Sequence, residues 1–212
     1  NRMLEYADMA PLAYLHLALD GNKTQTHIRH LLIDEMQDYS PIQYKVIQKL
    51  YPCRKTILGD ASQSVNPYGS STAAMIQKVF ITGEIMKLCK SYRSTFEITC
   101  LAQKIQTNKE LEPIMRHGEQ PEILQFKNTE EETTGIANLI SDFRNSGYTS
   151  LGIICKTETL AKALAQKLQV HTDNISLLSS QSSAYTKGVV VTSAHMAKGL
   201  EFDEVIIPQA DN

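Results

Sequence analysis

The chain has 212 residues, enough for one large domain or two small ones at about 100 to 200 residues per domain. Its 42% apolar and 21% charged residues are ordinary globular values, which exclude a disordered, collagen-like or coiled-coil protein. With 21 Lys and Arg against 23 Asp and Glu, the net charge of −2 provides no overall positive field. Any binding of nucleic acid must therefore be local.

The four cysteines are widely spaced and form no C-x-x-C pair. This pattern argues against a disulfide framework or a zinc site and favours a reduced, cytoplasmic protein. The longest apolar runs are far shorter than the ~20 residues that span a bilayer, so no membrane partner is expected. Because the first residue is Asn1 rather than Met, we expect the chain to be a piece of a longer protein.

In chain order, the first predicted elements are two strands of a parallel α/β sheet. The apolar run His30–Ile33 predicts a strand that ends on Asp34 and Glu35, and Lys55–Leu58 predicts a strand that ends just before Asp60. The carboxyl ends of parallel strands lie at one edge of a sheet, which is where ligands bind in such folds. Both strands should therefore deliver acidic residues to a ligand-binding edge.

A helix is predicted between these strands. Ser40 is the expected N-cap, Pro41 the first helical residue and Gln43 the partner that completes a capping box. Pro52 should end the helix. The apolar residues at helical spacing that should pack on the sheet are Ile42, Val46, Ile47 and Leu50.

The second half of the chain repeats the alternation and predicts a second domain. Helices are expected at Ile98–Ile105, after a capping box at Thr129–Glu132, and around Leu160–Leu168. Residues 1–83 would form one partial α/β domain and residues 84–212 a nearly complete one. The further predicted strands are Ile85–Cys89, Ile123–Phe126, Leu151–Cys155, Ile175–Leu178, Val189–Val191 and Val205–Ile207.

Adjacent carboxylates at the end of an apolar strand are typical of sites that cleave phosphates. Asp34 can hold a magnesium ion, usually through its waters, while Glu35 can polarise an attacking water. Taken alone, the dipeptide is more often a solvated acidic turn. Three further segments change that balance.

Four segments stand in an order that resembles motifs II, III, IV and V of the UvrD/Rep-like superfamily 1 helicases. The segments are Leu31–Asp38 with DExQD, Ile57–Ser64 with GDxxQ, Lys90–Thr95 with SYRS, and Ser193–Phe202 with KGLEF. Together with their spacing they cover nearly the whole chain from His30 onward. KGLEF is the most diagnostic, since these five residues rarely occur together outside this group.

The resemblance implies an α/β fold of RecA-like parallel sheets flanked by helices, of the P-loop NTPase motor type. Residues 1–83 would be the C-terminal part of the first motor domain, with DExQD and GDxxQ. Residues 84–212 would be most of the second, with SYRS and KGLEF. It also implies ATP and Mg²⁺ as cofactors and single-stranded DNA as the partner.

The resemblance also assigns roles in ATP hydrolysis. Asp34 would be the magnesium-site carboxylate and Glu35 the carboxylate that activates water. Gln63 would sense the γ-phosphate, and Arg93 would be an arginine finger, because its planar fork matches the oxygens on which charge collects during phosphoryl transfer. Taken alone, Arg93 is more often a surface arginine. The other residues that would lie near the nucleotide are Gln37, Asp60, Gly199 and Glu201.

The nucleic-acid contacts implied by the family are less complete. Ser193 and His195 would face the nucleic-acid track or couple it to the nucleotide site. Ser91 stands where the family usually has Asn, and the aromatic stacking platform that normally follows Gln63 is reduced to Tyr68. Stacked aromatic rings contribute about 1 to 3 kcal/mol per base. We therefore expect weaker binding of single-stranded DNA at this position than in the family.

The residues at Asp38-Tyr39-Ser40 and Ser91–Thr95 resemble those of the HelD, or helicase IV-like, branch of the family. Some members of that branch act on RNA polymerase. Three readings therefore stay open: a helicase or translocase on single-stranded DNA, an ATP-driven RNA polymerase-remodelling factor, or a non-catalytic remnant of a motor that binds protein or DNA. No G-x-x-x-x-G-K-[ST] phosphate loop occurs in the sequence. We therefore expect the 212-residue chain alone to bind Mg-ATP weakly and to show no turnover without a Walker A region N-terminal to it in the same protein.

Overall fold

The computed structural model describes residues 4–21, 24–64, 72–182 and 187–210. They divide into two compact units: unit 1 comprises Asn1–Ser91 with Lys109–Glu112, and unit 2 comprises Tyr92–Asn108 with Pro113–Asn212. The identity of these units as two motor domains, with a boundary at residues 83 and 84, stays a prediction. None of the helices in the described ranges is long and apolar enough to cross a membrane.

Unit 1 is built around two parallel strands and the helix that joins them. Its helices and strands are α1 (Tyr6–Leu19), β1 (His30–Ile33), α2 (Pro41–Leu50), β2 (Arg54–Ile57), α3 (Ala73–Gln77) and β3 (Lys90–Ser91), with short 3-10 turns at Met36–Asp38 and Ala61–Gln63. The register pairs His30 with Arg54 and Ile33 with Ile57. The predicted parallel pairing of these strands is thus confirmed.

The predicted capping box at the start of α2 is also confirmed. The N–H of Ser40 donates to Oε1 of Gln43 at 2.7 Å, and the N–H of Gln43 donates to Oγ of Ser40 at 3.4 Å. This reciprocal pairing satisfies two backbone donors that a helix start leaves without intrahelical partners. Helix α2 then packs on the strands through a core of Ile33, Tyr44, Ile76 and Val79.

Helix α1 was not predicted, because its residues lack the one-sided apolar stripe that marks a packed helix. It contains Pro11 and has no buried residue. Exposed apolar side chains occur along it, among them Leu12, Leu15 and Leu19. It packs on α2, where Nζ of Lys49 lies 5.4 Å from the ring centre of Tyr14.

Unit 2 contains a four-stranded parallel sheet. Its elements, with the short strand at the unit boundary, are α4 (Phe96–Ile105), β4 (Glu112–Pro113), α5 (Thr129–Asn145), β5 (Ser150–Cys155), α6 (Glu158–Leu168), β6 (Ile175–Leu178), β7 (Gly188–Ser193), α7 (Ala194–Ala197) and β8 (Glu204–Ile206). The strand order is β6-β7-β5-β8, and all three pairings are parallel. The α/β class and the four strands of this sheet are as predicted.

The core of unit 2 follows from the alternation of side chains along the two central strands. Leu151 and Ile153 of β5, and Val189 and Val191 of β7, point to the same face and are 4% exposed or less. They pack against the apolar faces of α5 and α6 in one cluster. Each such side chain stabilises the fold by roughly 1.5 to 3 kcal/mol on burial. This cluster is therefore the main source of stability in unit 2.

Two predicted strands were wrong, and the start of α5 was misplaced by one residue. Ile85–Cys89 and Ile123–Phe126 have no regular structure; the first run contacts a strand at its end, where the carbonyl of Cys89 accepts the N–H of Glu112 in β4 at 2.7 Å. Met86 is 87% exposed and Ile123 is 79% exposed, so neither run contributes a buried face. The N-cap of α5 is Asn128 rather than Thr129, because the side chain of Asn128 accepts the N–H of Glu131 at 2.9 Å.

Candidate active site

The carboxyl ends of β1 and β2 bring the DExQD and GDxxQ segments together in unit 1. Beyond the last paired residues, the N–H of Leu58 donates to the carbonyl of Ile33 at 2.8 Å. The N–H of Met36 then donates to the carbonyl of Leu58, also at 2.8 Å. The backbone of one segment is thus hydrogen-bonded to that of the other immediately after the strands end, as the parallel sheet predicts.

Glu35 is held in an unusual backbone conformation. Its φ of 54° and ψ of 50° lie in the left-handed region, which costs a non-glycine residue about 1 to 3 kcal/mol and occurs mainly at functional sites. Its N–H donates to Oδ1 of Asp34 at 2.8 Å. The two adjacent carboxylates lie in different surroundings, since Asp34 is exposed and Glu35 is half-buried.

A buried glutamine joins the two segments. Gln37 has no exposed surface. Its Nε2 donates to Oε2 of Glu35 at 2.6 Å, and its Oε1 accepts the N–H of Asp60 at 3.1 Å. This side chain is buried between the carboxylate of one segment and the backbone of the other. Its place near the nucleotide stays a prediction.

The GDxxQ segment approaches this glutamine so closely that Gly59 has no room for a side chain. A Cβ added to Gly59 would lie 2.5 Å from Oε1 of Gln37 and 2.5 Å from the backbone N of Met36. Because the second of these atoms belongs to the backbone, a side-chain rotation cannot relieve the overlap. The glycine is thus a requirement of the contact between the two segments.

The side chain of Asp60 caps the following 3-10 turn. Its Oδ1 accepts the N–H of Ser62 at 2.9 Å and the Ser62 hydroxyl at 2.5 Å, and its Oδ2 accepts Nε2 of Gln63 at 3.0 Å. Partial burial acts to raise the pKa of Asp60, but these hydrogen bonds outweigh it and hold the pKa below its usual range. The ionised carboxylate therefore fixes the Gln63 side chain against Asp60 within the GDxxQ segment.

The residues at this edge fit a magnesium site of the kind completed by a substrate. Mg²⁺ is usually bound by one or two carboxylates together with waters and phosphate oxygens. Asp34 offers an exposed carboxylate at a strand end, oriented by the N–H of Glu35. In the ranges that the structure describes, no group of three or more His, Cys, Asp and Glu residues is arranged to hold a metal ion.

In unit 2, the structure brings together one residue from SYRS and one from KGLEF. Nε of Arg93 lies 2.7 Å from Oε1 of Glu201, with the two side chains 64% and 65% exposed. This pairing joins the predicted arginine finger to a residue predicted to lie near the nucleotide. Both charged groups lie at the surface of unit 2, in contrast to the buried Gln37 of unit 1.

The backbone at Arg93 is hydrogen-bonded to residues that follow α4 in the chain. The Arg116 side chain donates to the carbonyl of Arg93, and the carbonyl of Arg116 accepts the N–H of Phe96 at 2.8 Å. The next residue, His117, places Nδ1 2.7 Å from Oε1 of Glu97. The loop that carries Arg93 is thus hydrogen-bonded to the segment that also contacts the start of α4.

Glu97 is the charged centre of these contacts. The hydrogen bond from His117 is the main cause, and the N–H of Gly118 at 2.9 Å the next, of a Glu97 pKa lowered to about 2. The Glu97 side chain is only 8% exposed, whereas that of His117 is 58% exposed. The sequence gives no signal for this pair, since His117 lies outside every recognised segment.

The KGLEF segment is anchored on the central strand of the unit 2 sheet. Gly199 has a φ of +81°, a conformation that side-chain-bearing residues rarely adopt. It follows α7, and the N–H of Leu200 donates to the carbonyl of Ala197 at 2.9 Å. The Phe202 ring covers Gly152 of β5 so closely that an added Cβ would lie 2.6 Å from it. Glu201 lies between these two fixed points.

The predicted nucleic-acid residues lie in different settings. Ser193 is 4% exposed, and its hydroxyl caps α7 by accepting the N–H of Met196 at 3.4 Å. His195 is exposed on that helix. Tyr68 lies outside the described residues. The structure thus groups the predicted nucleotide residues within each unit, whereas the convergence of Arg93 on the acidic pair stays a prediction.

Comparison with known proteins agrees with the motif pattern. Residues 1–80 match the family described as the UvrD/REP helicase N-terminal domain. The Bacillus subtilis protein YjcD is 26% identical over 185 residues, which are 79% of this chain and 24% of that protein. The ATP-dependent DNA helicase srs2 of Schizosaccharomyces pombe is 27% identical over 184 residues, 79% of this chain and 21% of the relative.

The ATP-dependent DNA helicase Rep of Escherichia coli is 29% identical over 144 residues, which are 61% of this chain and 21% of that protein. The chain therefore spans about a quarter or less of the length of these relatives. The family match and the relatives support the superfamily 1 helicase relationship that the four ordered motifs predict.

Proposed function

We propose that this chain is part of an ATP-driven superfamily 1 DNA motor, which couples ATP hydrolysis to movement on single-stranded DNA. The observation that carries the proposal is the joined strand edge of unit 1, where Asp34, Glu35 and Gln63 follow two hydrogen-bonded strands. The similarity of the chain to proteins named ATP-dependent DNA helicases supports the choice of ATP and DNA.

The unit 1 residues have the chemistry that nucleotide hydrolysis requires. Asp34 would hold Mg²⁺, which supplies positive charge to the phosphate oxygens. Glu35 would orient the attacking water and accept its proton, a role that needs an ionised carboxylate with a fixed direction. Gln63 would donate from its amide to the γ-phosphate; one N–H of its Nε2 donates to Oδ2 of Asp60 at 3.0 Å in this structure, and the amide carries a second N–H.

The unit 2 residues would complete the site by adding positive charge. Arg93 would stabilise the charge that develops on the γ-phosphate oxygens, since its guanidinium is always protonated and presents a planar fork. Its ion pair with Glu201 is formed by Nε, and the two terminal nitrogens of the guanidinium provide further donors for this contact. We propose that Arg93 acts on the same nucleotide as Asp34 and Glu35, and that Gly199 keeps the Glu201 backbone near that nucleotide.

Single-stranded DNA would bind along residues of the KGLEF and GDxxQ segments. His195 is exposed beside the end of β7 and could contact a phosphate or a base. Ser193 would act through α7, whose first turn its hydroxyl caps. Tyr68 is the proposed stacking residue.

The acidic pair provides the test of ATP hydrolysis in the full-length protein that contains this sequence. We expect Glu35→Gln to lower turnover by about 10² to 10⁴-fold, because the amide cannot accept a proton. Nucleotide affinity should change little, since the substitution keeps the size and polarity of the side chain. Glu84→Gln alters an exposed carboxylate of the same unit and is the matched control. Near-normal turnover of Glu35→Gln would contradict the assignment.

The partner is tested by measuring which macromolecule stimulates the ATPase of the same full-length protein. We expect single-stranded DNA to raise turnover, as the similarity to DNA helicases suggests. Stimulation by RNA polymerase but not by DNA would favour the polymerase-remodelling alternative. A full-length protein that hydrolyses no ATP with either partner would favour the non-catalytic alternative.

A further inference from the structure

Gln37 occupies a position that is costly for a polar side chain unless both ends of its amide are hydrogen-bonded. It has no exposed surface, and an unpaired buried amide costs about 1 to 3 kcal/mol. Both ends are in fact bonded: Nε2 to the Glu35 carboxylate at 2.6 Å, and Oε1 to the N–H of Asp60 at 3.1 Å. Burial and bonding together indicate a defined role for this carboxamide.

The orientation of the amide follows from its partners. A backbone N–H can only donate, so the atom that faces Asp60 must be the oxygen. The nitrogen then faces Glu35, where it donates to a group that, when ionised, can only accept. A carboxamide is the side chain that offers an acceptor at one end and a donor at the other. Methionine has a similar length and offers neither, whereas glutamate keeps only the acceptor.

The surrounding backbone leaves Gln37 little freedom. Gly59 approaches Oε1 of Gln37 too closely for any side chain at that position. The N–H of Met36 is bonded to the carbonyl of Leu58, and the Tyr44 hydroxyl donates to the carbonyl of Met36 at 2.8 Å. A displacement of the Asp60 backbone should therefore be transmitted through the amide to the Glu35 carboxylate.

We propose that Gln37 is a positioning residue, which directs the Glu35 carboxylate and links it to the turn that carries Gln63. This inference rests on the proposed role of Glu35 in hydrolysis. In this arrangement, movement of the Asp60–Gln63 turn changes the direction of the water-activating carboxylate. The DExQD and GDxxQ segments then move together during the reaction.

Kinetics of the full-length protein test the role. Gln37→Met removes both hydrogen bonds at nearly constant length, and we expect kcat to fall about 10 to 100-fold while KM for ATP changes less than about threefold. Gln48→Met is the matched control, because Gln48 donates to the carbonyl of Val79 at 2.9 Å in the same unit and lies outside the four motif segments. Unchanged kcat in Gln37→Met would overturn the inference.

A double substitution separates positioning from general damage. If Gln37 acts through Glu35, adding Gln37→Met to Glu35→Gln should cause no further loss of the residual turnover. An equal loss in both backgrounds would overturn the inference. Gln37→Glu covers the case in which Gln37→Met does not fold. It keeps the acceptor for Asp60 and replaces the amide donor with a second carboxyl group, which competes with Glu35 for a proton. Its kcat should also fall, and wild-type kcat in this variant would overturn the inference.

Amide hydrogen exchange of the 212-residue chain tests the link without any nucleotide. We expect exchange of the Asp60 N–H to be at least about tenfold faster in Gln37→Met than in the wild type, and close to wild type in Gln37→Glu. Equal rates in the wild type and Gln37→Met would show that the link does not form. A wild-type full-length protein without ATPase activity would instead contradict the proposed function, whatever the result of the hydrogen exchange.

Discussion

Unit 1 and unit 2 hold their predicted nucleotide residues in opposite ways. In unit 1, a fully buried glutamine joins Glu35 to the backbone of Asp60, next to a glycine with no room for a side chain. In unit 2, Arg93 and Glu201 form an ion pair with both side chains about two-thirds exposed. A buried network fixes geometry, whereas an exposed pair can exchange partners at little cost. The acidic residues are thus set in place, and the arginine is free to change partner.

The largest effect on ATP turnover should come from replacing Arg93, which belongs to the exposed ion pair of unit 2. In the full-length protein we expect Arg93→Ala to lower ATP turnover by about 10³ to 10⁵-fold, the usual range for an arginine finger. Thermal stability should change little, because the side chain is exposed. Arg93→Lys keeps the charge without the fork and should recover only a small part of the activity. Normal turnover in Arg93→Ala would contradict the finger assignment.

The sequence predicts the parts of the fold that depend on neighbouring residues. The strand His30–Ile33 and the capping box of Ser40 and Gln43 are read within a few positions, and both are confirmed. Ile85–Cys89 has the same local signal as a strand and is not one, because pairing depends on a neighbour that the local pattern does not specify. Local chemistry thus predicts elements better than it predicts their partners.

The candidate site shows the same limit. The resemblance selected Arg93, Glu201 and Gln37, but the partner of each depends on the folded backbone. Glu97 and His117 were missed altogether, since their contact joins residues 20 apart that share no motif. Burial is what distinguishes Gln37 from an ordinary polar residue, and burial follows from packing across the strand edge rather than from spacing.

Gly59→Ala tests the buried contact between the two segments of unit 1. It should have the next largest effect, which is a loss of stability. Its Cβ would overlap the backbone N of Met36, so the two segments must separate. We expect the free energy of unfolding of the 212-residue chain to fall by about 1 to 3 kcal/mol, as for other overpacked sites. Gly147→Ala is the matched control, because nothing lies within 4 Å of its added Cβ. Equal denaturation midpoints for the two variants would contradict the close approach.

The loop beside Arg93 should show a smaller, pH-dependent effect. The hydrogen bond from His117 lowers the folded-state pKa of Glu97 to about 2, from the usual 4.5 of a glutamate, so the folded state favours the ionised carboxylate. Its contribution to stability is present above about pH 4.5 and is lost as the pH falls through about 2. Thermal melts of the wild-type chain and Glu97→Gln should therefore differ most near neutral pH and converge in acid. A constant difference down to pH 2 would contradict this origin.

The smallest effect should come from Glu201→Gln, which removes the charge opposite Arg93. Exposed ion pairs contribute about 0 to 1 kcal/mol, because water already solvates both charges and salt screens their attraction. We expect the free energy of unfolding of the chain to change by less than about 1 kcal/mol, with the difference smaller still in high salt. Glu158→Gln provides a reference, since Glu158 pairs with Lys162 at 2.8 Å within one helix. A salt-independent loss of about 2 kcal/mol or more would show that the Arg93–Glu201 pair is structural, and would contradict an arginine that is free to change partner.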